Sequence, residues 1–133
     1  MSVVGFDIGA STSFVALARQ GGIETVANEF SQRATPTYVS FGEQQRVLGT
    51  SAQQKVIMNL KNTCWLFKHL IGRPFEDNIV ERYQKIVPYK LVKIPETGRC
   101  GVEVSHCGET QVFSAEQILA MFLGKVKDIH KFS

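Results

Sequence analysis

Hydrophobic positions at the start of the chain fall in short runs broken by glycine and polar turns, a pattern that predicts a β-meander. Val3–Phe6 is nearly all apolar, as a strand covered on both faces would be. Ser13–Arg19 and Ile23–Ala27 read as the next two strands, with Gln20-Gly21-Gly22 as the hairpin turn between them. Asn28 to Pro36 is a polar loop closed by a proline. Thr37–Phe41 and Arg46–Leu48 follow as strands on either side of a turn at Gly42 to Gln45. After Gly49 the spacing becomes helical: Thr50 can cap a helix through about Met58, and Asn62 or Thr63 a second one to Leu70, before Gly72 and Pro74 stop it. Glu76–Gln84 predicts a third helix. Tyr89–Ile94, Gly101–His106 and Gln111–Phe113 alternate as strands, with turns at Glu96-Thr97-Gly98 and Gly108-Glu109. Ser114 and Gln117 then form a capping box. The stripe Ile118, Phe122, Val126 and Ile129, widened by Leu119 and Leu123, predicts a helix packed on a sheet or helix.

Composition narrows the class. The chain has 133 residues, enough for one domain with a real core, and 44% apolar with 20% charged residues fits a soluble globular protein. No apolar stretch approaches a membrane span, and no signal peptide pattern opens the chain. The cysteines, Cys64, Cys100 and Cys107, are odd in number and lack a pairing motif, which points to a reducing compartment. The net charge of +3 is not segregated into a basic stripe, so nucleic-acid binding is disfavoured.

The candidate chemistry lies at the first turn. Val3 to Asp7 delivers one carboxylate to a strand end, and Gly9, Ala10, Ser11 and Thr12 follow as a turn of small residues. Backbone N–H groups in such a turn can converge on an anion, and a carboxylate beside them can hold the hydration shell of a phosphate-bound Mg²⁺. The same Asp-x-Gly step is also the sequence of an ordinary hairpin turn. A metal reading of Cys100, His106 and Cys107 fails on geometry: an offset of seven puts the sulfurs on opposite faces of a strand, and neighbours point apart. His69 and His130 have no partner at ligand spacing, and the Trp65-Leu66-Phe67 cluster reads as core packing. The chain has neither a Gly-x-x-x-x-Gly-Lys-Ser/Thr loop nor a Gly-x-Ser-x-Gly elbow.

Several blocks, in order, carry a family resemblance. Asp7-Ile8-Gly9, Gly21-Gly22-Ile23-Glu24-Thr25, Asn28-Glu29-Phe30-Ser31, Arg33-Ala34-Thr35-Pro36 and the run from Asn62 to Arg73 resemble the start of a heat-shock chaperone ATPase domain. The Met1-Ser2-Val3-Val4-Gly5 opening and the Gly-Gly-Ile-Glu-Thr-x-Ala-Asn-Glu phrase are closer to the large, 110-kilodalton branch than to the 70-kilodalton one. Ser114 to Lys127 continues the match. An actin-like sugar kinase shares the Asp-x-Gly turn but not the other blocks.

The resemblance implies an α/β fold, an incomplete actin-like (ribonuclease H-like) ATPase lobe. Residues 1–38 would be the opening β-meander with the phosphate loop, 39–113 a small α+β subdomain, and 114–133 a truncated returning helix. Asp7 matches the aspartate facing Mg²⁺ through water; Gly9, Ala10, Ser11 and Thr12 match the first phosphate loop. There the smaller branch usually has Thr-Thr-Tyr; the backbone donors survive the change to Ala10-Ser11-Thr12, whereas the side-chain hydroxyl contacts need not. Lys68 matches the catalytic lysine that reaches the γ-phosphate; by pattern alone it would be a helix-surface lysine. Thr35-Pro36 matches the hinge segment, or is a plain loop. The cofactors implied are ATP and Mg²⁺. The implied partners are ATP/ADP, the smaller heat-shock chaperones and unfolded clients, in the cytoplasm with or without the nucleus. The function implied is that of an ATP-binding chaperone portion; the alternative is a truncated product with no nucleotide activity, an interaction module at most. Since the family's later strands have no counterpart here, the first strand and the last helix are both expected to keep apolar surface exposed.

Overall fold

A computed structural model describes residues 3–131, and side chains as far as residue 129. Three antiparallel sheets surround one core. In the first, β1 (Val3–Ile8), β2 (Thr12–Arg19) and β3 (Gly22–Thr25) run in sequence order, and β4 (Thr35–Pro36) pairs with the start of β2. The register sets Phe6 opposite Val15 and Ile8 opposite Ser13, so these side chains share a face with the buried Val15 and Leu17. The other face carries Val3, Ala18 and Ile23 in one row and Asp7 with Phe14 in another. In the second sheet β5 (Val39–Phe41) lies between β6 (Arg46–Leu48) and β7 (Thr63–Cys64). The third is β8 (Lys90–Lys93), β9 (Cys100–His106) and β10 (Glu109–Ser114), in order.

Helix α3 (Ala115–Lys131) closes the core. Its capping box forms as the sequence predicts: the Gln117 N–H donates to Ser114 Oγ at 3.0 Å, and the Ser114 N–H to Gln117 Oε1 at 2.8 Å. Ile118, Phe122, Val126 and Ile129 are all buried, and α3 touches β2, β5, β9 and β10, so it meets all three sheets. The expectation of exposed apolar surface therefore fails for this stripe, because the chain's own sheets cover it. It holds for the first strand, where Val3 is 65% and Phe6 46% exposed.

Residues 50–70 depart from the predicted helices. Helix α1 is only Thr50–Gln53, since Lys55 to Asn59 turn back on themselves. In place of the predicted second helix stand strand β7 and a 3-10 turn at Phe67–Leu70, preceded by another 3-10 turn at Leu60–Asn62. A long-range ladder wins here over local spacing. Thr63 and Cys64 pair with Ser40 and Val39, and Thr63 Oγ1 lies 2.9 Å from Ser40 Oγ. Asn59 reinforces this by accepting Thr63 Oγ1 on its carbonyl and donating Nδ2 to the Phe41 carbonyl at 2.9 Å. Helix α2 (Asn78–Gln84) is capped by Asp77, whose carboxylate accepts the Ile79 N–H at 2.8 Å.

Candidate functional site

The turn between β1 and β2 is built from residues 9–12. The Gly9 N–H donates to the Thr12 carbonyl at 3.1 Å, and the backbone packs so closely that a Cβ at Gly9 would lie 2.5 Å from that oxygen. Glycine is therefore required at position 9. The Thr37 N–H donates to the Ser11 carbonyl at 2.9 Å, and the buried hydroxyls of Ser13 and Thr37 meet at 2.7 Å. Among the described residues, the N–H groups of Ala10 and Ser11 have no backbone carbonyl partner, so both remain available as donors. Asp7, on the open face of β1 at this end, is exposed and takes part in no ion pair among the described residues.

Lys68 arrives from far along the chain. Its Nζ donates to the Ile8 carbonyl, the residue just before the turn, at 2.5 Å. Two of its three protons remain for another acceptor. Leu66 places it there: a left-handed residue with φ 63°, it turns the chain from β7 into the 3-10 turn that carries Lys68. The preceding Trp65 is fixed by stacking on Tyr38 at 5.3 Å and by the Tyr89 hydroxyl, which donates to its carbonyl. Burial, and then the neighbouring Cys64, Cys100 and Tyr83, hold the Tyr89 phenol above its ordinary pKa, so it stays a donor.

The predicted residues thus come together in part: Lys68 and the Asp7–Thr12 turn meet at Ile8. What the hydrophobic pattern could not show is the Ile8 carbonyl as anchor, Leu66 as the bend, and Thr37 as the pin, because a backbone group and a φ angle leave no periodic trace.

The Hsp70 protein family model matches residues 3–132. This chain belongs to the Hsp70 family. Within it, the 97 kDa heat shock protein of Strongylocentrotus purpuratus is 51% identical over 127 residues, covering 96% of this chain and 14% of that protein. Heat shock protein 110 of Caenorhabditis elegans is 48% identical over 129 residues, 97% of this chain and 16% of that one. Human Heat shock 70 kDa protein 4 is 46% identical over 128 residues, 96% and 15% respectively. The chain therefore spans between 14% and 16% of the length of these Hsp70-family relatives. Its mixed α/β architecture fits part of an actin-like Hsp70 ATPase lobe. Among the described residues no helix is long and apolar enough to cross a membrane, and no cluster of three metal-ligating side chains occurs.

Proposed function

We propose that this chain carries the first phosphate-binding elements of an ATP-binding chaperone of the large Hsp70 branch. In its full-length relatives these would serve a protein that holds unfolded chains in the cytoplasm and promotes nucleotide exchange on smaller chaperones. The observation that carries the reading is the Lys68 ammonium seated on the Ile8 carbonyl, at the mouth of the small-residue turn. The donor set suits an Mg²⁺-nucleotide: two free amides at Ala10 and Ser11, an ammonium with protons to spare, and the exposed Asp7 carboxylate. When bound, Mg²⁺ neutralises part of the phosphate charge. Asp7 would hold it through water, the Gly9–Thr12 backbone would orient the phosphates, and Lys68 would offset charge on the terminal one.

A site enclosed on one side gains little affinity. Mg-ATP is therefore expected to bind this chain at about millimolar strength, without measurable turnover. Amide resonances of Ala10 and Ser11 should move on titration with Mg-ATP, and Lys68→Ala should reduce the shift several-fold. Shifts confined to other residues would overturn the assignment. A micromolar constant by calorimetry would overturn the one-sided site.

A further inference from the structure

A second reactive pair lies away from the phosphate turn, where the hairpin tips of the second and third sheets meet. His106 ends β9. Its Nδ1 lies 2.9 Å from the Gly42 carbonyl, which can only accept, so in the neutral ring Nδ1 carries the proton and Nε2 presents its lone pair. That lone pair faces the Cys107 thiol, with Nε2 3.5 Å from Sγ. The thiol's other neighbour is the Gln44 carbonyl at 3.9 Å. The Cys107 N–H also donates to the Gly42 carbonyl, at 3.1 Å, so both residues are fixed on the β5–β6 turn. The geometry is that of a thiol beside a base whose tautomer a backbone carbonyl sets. An edge-on contact with Phe41, ring centroids 5.4 Å apart, further restrains the imidazole.

Cys107 is exposed, and it sits where a cysteine is out of place. It is the first central residue of a two-residue hairpin turn with φ 56°, followed by Gly108 at φ 77°, a conformation that favours Asn, Asp or Gly. The other two thiols are closed off. Cys64 and Cys100 are 0% and 1% exposed, and burial, then the charge of Glu116, pushes Cys100 up to about 11. Against the same Gly42–Gln45 turn lies a cleft of about 520 Å³, lined by Glu43, Gln44, Gln45, Lys55, Asn59 and Asn62 among others. Its size falls within the roughly 300–1,000 Å³ of small-molecule sites. It meets the thiol through Gln44, and its lining sets the Lys55 ammonium with the Glu43 carboxylate among amides, a surface of both charges that suits a short zwitterionic peptide.

We propose that Cys107 is a thiol–disulfide exchange site for small peptide disulfides of the glutathione class, with His106 as its base and the adjoining cleft as the seat of the adduct. The thiol proton passes to His106 Nε2 as Sγ attacks one sulfur of the disulfide. The Sγ–S bond forms, the S–S bond breaks, and the departing thiolate takes the proton back from Nε2. Cys107 is oxidised to the mixed disulfide, and the leaving half is reduced to a thiol.

The test is intact-mass and peptide mapping of the full chain during exposure to glutathione disulfide. One glutathionyl group should appear, on Cys107, and Cys107→Ser should abolish it. His106→Asn keeps an amide donor for the Gly42 carbonyl but removes the base, and should slow the reaction about tenfold or more. An unchanged rate in His106→Asn, or first modification at Cys64 or Cys100, would overturn the proposal. A comparison that needs no variant is the same chain unfolded in urea. Cys107 should react faster in the folded chain, and an equal or slower folded rate refutes the pair. Bis(2-hydroxyethyl) disulfide, lacking carboxylates and amides, should react several-fold more slowly; parity would remove the peptide assignment.

Discussion

Ser13 and Thr37 show how much of the β1–β2 turn's geometry depends on single buried hydroxyls. Each is at most 1% exposed, and each is the other's partner at 2.7 Å. Removing one leaves the other buried without a hydrogen bond, which costs about 1–3 kcal/mol, whereas removing both at constant shape is nearly neutral. Ser13→Ala alone should therefore lower the denaturation free energy by about that amount. The double variant Ser13→Ala with Thr37→Val should recover most of it. Urea unfolding of the four members of the cycle checks this, and strict additivity of the two losses would contradict the pairing. Asn28 does comparable work one loop away. Its Oδ1 accepts the Phe30 and Gln32 N–H groups at 2.9 and 3.2 Å, and its Nδ2 reaches Thr35 Oγ1 at 3.1 Å. A position that reads in sequence as loop polarity is a buried hub.

Helix α3 is tied at its far end to the Asn28 loop by Lys125, which pairs with Glu29. Partial burial raises the Glu29 pKa, but the Lys125 hydrogen bond, a backbone hydrogen bond and the Lys125 charge outweigh it and leave the carboxyl below its usual 4.5. A carboxyl depressed on folding adds stability above the unfolded pKa and loses it as pH falls through the folded value. Lys125→Met should thus destabilise the chain at neutral pH, with the deficit shrinking as the pH drops below about 4.5. Urea midpoints of both proteins from pH 7 down to 3 measure this; a deficit constant across that range would assign the loss to packing. At this same scale the sequence was most readable where signals are local. The meander, the hairpin at Gln20-Gly21-Gly22, the three late strands and the Ser114/Gln117 box all appear near their predicted places. It was least readable from Lys55 to Leu70, where pairing with Val39 and Ser40, and the left-handed Leu66, decide the path. Lys68 was legible through the blocks around it; its route to Ile8 was not.

Across the whole molecule, the two faces of the first sheet differ sharply. On the core face Val15 and Leu17 are covered and only Phe6, on β1, is 46% exposed, while the other face leaves Val3 65% and Ile23 79% exposed beside the half-buried Phe14, Ala16 and Ala18. An apolar face next to the free edge of β1 favours association. Sedimentation should show concentration-dependent self-association, weakened by Ile23→Lys. Hydrogen exchange should protect β2, β9 and α3 well above β1 and β3. A chain that stays monomeric at high concentration, with uniform protection, would contradict this picture.

The position of α3 also fixes an order of events during synthesis. Each of the three sheets has a strand that contacts this helix, yet the helix is made after all of them. A ribosome delivers the strands first, so the core faces of β2, β5 and β9 emerge without the helix that seals them, and their closure waits for Ala115 to Ile129. The nascent chain thus presents a set of uncovered apolar strands until α3 is translated.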